Sequence, residues 1–220
     1  MRIRTLTVGP LSANCYLVSE ETADGSPQAF LVDPGMEAMD AVVAAVEQDQ
    51  VEVEAVVLTH GHIDHVCDAA LVAEKYSAPV YIHPADAFML EPGNECPQQA
   101  ARMFGADIAK LPAEVRELSD GQTVELAGHA FTVHHAPGHS PGCVLLEGDE
   151  FVLTGDVLFR GAIGRVDVPY SDPQAMQDSL RTKVKVLDDD LEVYPGHGPR
   201  SQMGEEKLTN PFLVGAKPVR

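Results

Sequence analysis

Apolar and polar residues alternate with period two in a series of short runs, and that spacing predicts β-strands. The runs cover 3–8, 14–19, 30–32, 54–58, 80–82, 123–126, 131–134, 144–147, 151–153 and 192–194. Apolar positions three and four apart predict helices over 37–48, 66–77 and 174–187. The pair Asp172-Pro173 marks the start of the last of these, because the carboxylate can accept from first-turn amides and proline needs no N–H partner there. Between 84 and 118 the pattern breaks at Pro84, Pro92, Gly93, Pro97 and Pro112, which predicts an irregular insertion of short helical pieces. Strands mixed with helices predict a layered α/β domain. Residues 1–220 are read as one domain, with 198–220 a C-terminal tail packing on it.

Several strand-like runs lead directly into side chains able to bind metals. Val56-Val57-Leu58 runs into Thr59-His60, and Phe131-Thr132-Val133 into a loop ending at Pro137-Gly138-His139. Phe151-Val152-Leu153 runs into Thr154-Gly155-Asp156, and Val193-Tyr194 into Pro195-Gly196-His197. If these strand ends share one edge of the fold, their side chains converge, because a sheet holds its end loops rigidly.

Composition narrows the partners. The 220 residues carry 15 Lys+Arg against 34 Asp+Glu, a formal net charge of −19. A polyanion is repelled by such a surface, so no nucleic acid is expected. No apolar run approaches the ~20 residues of a membrane span, so no membrane is expected either, and a small molecule is the expected partner. A chain of this length buries enough surface to need no staple. Cys15, Cys67, Cys96 and Cys143 lie far apart with no C-x-x-C pair, which fits neither a disulfide framework nor a zinc ribbon. The first residues lack the apolar stretch of a signal peptide. The expected compartment is therefore the cytoplasm. No part of the pattern assigns an oligomeric state.

The segment Thr59-His60-Gly61-His62-Ile63-Asp64-His65 packs imidazoles and a carboxylate closely enough to suit zinc, iron or manganese. His60 and His62 point the same way on an extended segment. Asp64 and His65 fall where a helix begins and can turn towards a neighbouring position. Two adjacent ion sites are easier to build from this set than one crowded site. His139, Asp156 and His197 offer a third imidazole for each ion and a carboxylate to share. Gly138, Gly155 and Gly196 stand beside them, where tight turns can bring the chain close to an ion.

The H-x-H-x-D-H motif, followed in order by His139, Asp156 and His197, resembles the signature of the metallo-β-lactamase superfamily. The segments Ala136-Pro137-Gly138-His139-Ser140-Pro141-Gly142, Thr154-Gly155-Asp156-Val157-Leu158-Phe159 and Tyr194-Pro195-Gly196-His197-Gly198 look like its glyoxalase II (hydroxyacylglutathione hydrolase) branch, in the short bacterial form without the longer C-terminal extension. The resemblance implies a four-layer αβ/βα sandwich. It also implies a binuclear hydrolase with two divalent ions, zinc first and iron or manganese as alternatives. His60, His62 and His139 would hold one ion, and Asp64, His65 and His197 the other, with Asp156 bridging. A hydroxide shared by the ions would cleave an acyl thioester such as S-lactoylglutathione, with Asp64 and Asp156 fixing the nucleophile. The lack of an export signal argues against a β-lactamase, and the acidic surface against a nuclease.

Arg165 stands where that branch has a basic residue near the glycine carboxylate of glutathione. Its other reading is a partner for Asp167. Val166 and Asp167 replace the aromatic that usually follows. The same Gly164-Arg165-Val166-Asp167 stretch resembles persulfide dioxygenases, in which a single iron would be held by His60, His139 and Asp156. A third reading is a metal-binding protein without catalysis. Asp33 is read as a support for a ligand imidazole in preference to the start of a turn before Pro34-Gly35, and Thr59 as either such a support or the end of a strand. His83, His129, His134 and His135 are read as structural, Cys67 and Cys143 as small core residues, and Tyr16 as a strand aromatic. Phe212 is expected to anchor the tail, and Lys207 to be a surface lysine or a charge presented to substrate.

Overall fold

Strands that are apolar on both faces need a layer above and a layer below, and the alternation along this chain sorts its side chains accordingly. The computed structural model describes residues 1–21, 27–92, 102–106 and 110–220. Among them, two six-stranded mixed sheets lie face to face. The first runs in chain order: β1 (Arg2–Val8), β2 (Ala13–Glu21), β3 (Pro27–Val32), β4 (Glu52–Val57), β5 (Val80–Ile82) and β6 (Val115–Glu117). The second is β12 (Ser201–Gln202), β11 (Glu192–Pro195), β10 (Phe151–Gly155), β9 (Val144–Glu147), β8 (His129–His135) and β7 (Thr123–Leu126).

Between the sheets lie Val18, Phe30, Val32 and Val57 from one side, with Phe131, Val133, Leu146 and Leu153 from the other. Their neighbours in sequence face outwards. Leu17, Leu31 and Val56 meet helices α1 (Met39–Asp49) and α3 (Ala69–Tyr76). Leu145, Val152 and Val193 meet Met176, Leu180 and Val184 of α4 (Pro173–Ser179) and the π-turn that follows it, together with Met203 of α5 (Met203–Thr209) and Leu213. The result is the four-layer αβ/βα sandwich. Burial of the second sheet on both faces explains why its inner strands β9 and β10 are apolar at nearly every position, while β1, at the edge of the first sheet, keeps a plain alternation.

The predicted strands are present, and two more complete the sheets. β6 is exposed along its length and β12 is two residues long, so neither carries an alternation to read. β6 pairs in parallel with β5, so part of the 84–118 segment extends the first sheet rather than forming an insertion. Gly93, Pro97 and Cys96 lie outside the described residues.

The helix expected over 66–77 is two helices and starts earlier. α2 (Ile63–Val66) comes first, and the chain bends at Asp68, whose carboxylate accepts from Met39 N at 3.0 Å, before α3 begins. Asp64 and His65 therefore sit in the first turn of α2. The helix expected over 37–48 begins at Met39, since Glu37 takes a left-handed φ of 59°. The helix expected over 174–187 is capped by Asp172, whose Oδ1 accepts from Gln174 N and Ala175 N, but it widens into a π-turn at Leu180–Val184.

Register positions the loops. β3 and β4 are parallel with Val32 beside Val57, so Asp33 and Thr59 emerge side by side. β10 and β11 are parallel with Gly155 beside Pro195, so Asp156 emerges beside Gly196-His197. The two sheets are tied at this edge by Val144 N donating to Thr59 O at 2.9 Å and Asn14 N donating to Gly196 O at 2.8 Å. The strand ends do share one edge.

Candidate metal centre

Every side chain expected to hold a metal arrives at that edge. The ligand atoms of His60, His62 and His139 lie within 4.8 Å of one another, and so do those of Asp64, His65 and His197. Asp156 stands between the two groups. Its Oδ2 is 3.3 Å from His139 Nε2 and 3.7 Å from His197 Nε2, and its Oδ1 is 3.5 Å from His65 Nε2. Asp64 Oδ2 lies 3.2 Å from His197 Nε2 and 3.5 Å from His65 Nε2. Glycine at 196 is required by close approach: a Cβ there would fall 2.1 Å from Asp156 Oδ1.

The outward nitrogens settle which ring atoms face inwards. His139 Nδ1 donates to Arg165 O at 2.7 Å, and His65 Nδ1 to Asp33 Oδ2 at 3.0 Å. Thr59 Oγ1 donates to Asp33 Oδ2 at 2.6 Å, so it accepts from His60 Nδ1, 3.1 Å away. With Nδ1 of His60, His65 and His139 donating outwards, their Nε2 atoms face the centre, where each can offer a lone pair to a metal. His62 Nδ1 then lies 2.8 Å from His139 Nε2, and His65 Nε2 lies 3.2 Å from His197 Nε2. A proton shared across each contact satisfies these nitrogens in the metal-free protein, and a divalent ion can take its place. His60 Nε2 and Asp156 Oδ1 are buried with no hydrogen-bond partner, which the fold would not leave unsatisfied without a purpose. This donor set fits divalent metals, imidazole-rich in one group and carboxylate-containing in the other.

Electrostatics separate the two groups. Burial, reinforced by the surrounding imidazoles, lowers His60 well below its ordinary pKa and brings His62 down to about 3. Burial also pushes His65 down, but the carboxylates of Asp64, Asp156 and Asp33 outweigh it and hold the ring up at about 10. His197 is raised in the same way, against its burial, by Asp64 and Asp156. Burial opposes ionisation of Asp64, yet His65 and His197 hold it below the ordinary carboxylate range.

The metal-free protein should therefore be most stable near pH 6.5. Below that, His60 and His62 bind protons only when unfolded, so stability falls with falling pH. Above it, His65 stays protonated only when folded, so its contribution is lost as pH rises towards 10. Urea unfolding of chelator-treated protein at pH 5, 6.5 and 9 checks this, and a steady rise from pH 5 to 9 would contradict these charge states.

Asp33 does support the ligands, accepting from Thr59 N at 2.7 Å in addition to the two bonds above. His134 pairs with Glu147 at 2.6 Å, and His83 stacks on His135 with centroids 3.8 Å apart, both outside the cluster. Cys143 is buried and burial pushes its thiol up, as suits a core residue. Arg165 points its guanidinium at Asp167, 2.8 Å away, and is 72% exposed. Lys207 bonds Leu187 O and Asp189 Oδ1.

Three supports were missed or undervalued. Tyr16 Oη donates to Pro195 O at 2.5 Å, and Asn14 Nδ2 donates to Pro195 O and Gly198 O, so both hold the His197 loop. Asn14 and Tyr16 are alternate residues of β2, and nothing local distinguishes them from ordinary strand side chains. Asp86 is fully buried and bonds to the loops carrying His60, His62 and His139. It lies where proline breaks all periodicity.

The model of the Metallo-beta-lactamase superfamily matches residues 8–197. The hydroxyacylglutathione hydrolase GloC of Haemophilus influenzae is 34% identical over 97% of this chain and 98% of its own. A crystal structure of TTHA1623 in a di-iron-bound form is 42% identical, with a TM-score of 0.81 over 96% of this chain and 100% of its own. The B3 metallo-beta-lactamase BLEG-1 is 30% identical, with a TM-score of 0.85 over 97% and 100%. ETHE1 from Myxococcus xanthus is 25% identical, with a TM-score of 0.79 over 98% and 85%.

Proposed function

The chain belongs to the metallo-β-lactamase superfamily, and from that premise we propose that it is a cytoplasmic binuclear metallohydrolase cleaving a small acyl thioester of the hydroxyacylglutathione type. The observation that carries the reading is the pair of ligand groups sharing Asp156, each built from residues that only this fold edge unites. The likeness to GloC supports the substrate class, and the di-iron-bound structure supports a two-metal site. In this reading His60, His62 and His139 hold one ion, Asp64, His65 and His197 the other, and Asp156 both, zinc or iron being the metals.

Two divalent ions, when bound, supply a water acidic enough to be the nucleophile and an electrophile for the acyl oxygen. The chain's own part is placement. Asp156 and Asp64, whose carboxylates lie among the imidazoles of the centre, would hold the ions and accept a hydrogen bond from the attacking water, fixing its direction. The backbone carbonyl of Arg165 and the carboxylate of Asp33 keep the ligand rings in one tautomer. A thiol has a pKa of about 8.5, so a thiolate leaves without a dedicated acid. Arg165, exposed beside the His139 loop, would meet a carboxylate on the thiol by exchanging its Asp167 partner.

The ETHE1 likeness favours a second reading, a persulfide dioxygenase using one iron on His60, His139 and Asp156. Elemental analysis of protein purified without added metal, with activity assayed on the same sample, separates the two. About two metal equivalents and S-lactoylglutathione hydrolysis at equal rates in air and under argon are expected. About one iron equivalent, with oxygen consumed on adding glutathione persulfide, overturns the hydrolase. Hydrolysis of a β-lactam with no thioesterase activity overturns the substrate class.

A further inference from the structure

Asp86 is a buried carboxylate that the reaction does not use. It stands in the 3₁₀ turn Pro84–Leu90 after β5 and is fully buried. Its Oδ2 accepts from Gly61 N at 2.8 Å and from Ser140 Oγ at 2.5 Å, and its Oδ1 accepts from Gly142 N at 2.6 Å. Gly61 separates His60 from His62, and Ser140 follows His139. One carboxylate thus joins the two loops that carry the all-imidazole group, although those loops come from different sheets. The approach is close: a Cβ at Gly142 would fall 2.6 Å from Asp86 Cγ. The other group has different supports, Asp33 on His65 and Asn14 with Tyr16 on the His197 loop.

We propose that Asp86 is a positioning residue for the His60–His62–His139 site alone, fixing the spacing of its imidazoles and so its metal affinity. The proposal rests on the two-metal reading above. An amide at this position cannot replace the carboxylate. Whichever way Asp86→Asn turned, its NH₂ would face Gly142 N–H or the Gly61 N–H and Ser140 hydroxyl pair, and one loop would be released. Val144 N to Thr59 O still ties the sheets, so the fold has a second joint at this edge.

The test is metal retention in a chelator series, read by elemental analysis. Asp86→Asn is expected to lose one of the two metals at roughly 10–100-fold lower chelator strength than the native protein. Backgrounds that damage one group identify which metal leaves. In His197→Ala the remaining metal should depend on Asp86; in His62→Ala it should not. Equal weakening of the metal left in both backgrounds would mean a merely structural role and overturns the proposal, as does unchanged retention. If Asp86→Asn fails to fold, Ser140→Ala removes a single donor, and a smaller loss in the same His197→Ala background is expected; its absence overturns the proposal. A native protein that holds no metal sinks the two-metal reading and this proposal together, whereas two metals in both native and Asp86→Asn proteins overturn only the role of Asp86.

Discussion

Asp156→Asn is expected to lower thioester hydrolysis roughly 10³-fold or more and to take metal content from about two equivalents to one or fewer. Asp156 is the side chain whose oxygens face ring nitrogens of both groups, His65 from Oδ1 and His139 and His197 from Oδ2. Removing its charge deprives both groups of the one carboxylate that faces them in common. The amide keeps the shape, so the loss reports charge and donor chemistry rather than packing. Asp64→Asn is the control, because Asp64 faces His65 and His197 but not the all-imidazole group. It should lose one equivalent and keep the other. The check is metal content and the steady-state rate of both variants measured on the same preparations. An Asp156→Asn protein that keeps two equivalents and a native rate sinks the bridging role.

How much of this was legible from the residues depended on periodicity. β9 and β10 alternate between two packed layers, and Val144, Leu145 and Leu146 go in, out and in. The convergence of these side chains was legible because His60, His62, Asp64 and His65 crowd one segment, and because His139, Asp156 and His197 each follow a strand-like run. The break between α2 and α3 was not legible, since Asp68 leaves the helix for a long-range bond to Met39 N that no local pattern announces. β6 pairs through its backbone while all its side chains are exposed, so the pairing left no trace in side-chain type. Asp86 was hidden for a related reason. Its partners are two backbone amides and one hydroxyl, far away in the chain, and such donors carry no residue signature. Asp33 was suspected from the fold that the resemblance implied, and the parallel pairing of β3 with β4 is what brings it to Thr59.

The second large effect concerns Asp33, and it falls on the opposite metal site from Asp86. Asp33 takes a left-handed φ of 51°, which asparagine tolerates, so Asp33→Asn probes the charge without a backbone penalty. Oδ1 can still accept from Thr59 N. An NH₂ in place of Oδ2, however, meets His65 Nδ1, which now donates at 3.0 Å. Two donors cannot share that contact, so the neutral ring must move its proton to Nε2. That nitrogen faces His197 and the carboxylates of Asp64 and Asp156, and once protonated it can no longer bind metal there. The same change removes one of the carboxylates that hold His65 up at about 10, so the ring is also less readily charged. Asp33→Asn should therefore lose the Asp64–His65–His197 metal, with affinity down roughly 10–100-fold, while the His60–His62–His139 metal stays. A buried donor left unmatched at Thr59 adds about 1–3 kcal/mol of destabilisation. Imidazole nitrogen resonances of the metal-free variant, recorded at a pH where the ring is neutral, report the tautomer, and elemental analysis reports the metal. Retention of Nδ1–H on His65 together with two metals would show that the loop, not the carboxylate, orients this ring. Loss of both metals would place Asp33 upstream of the whole centre, through the Thr59 hydroxyl that also holds His60.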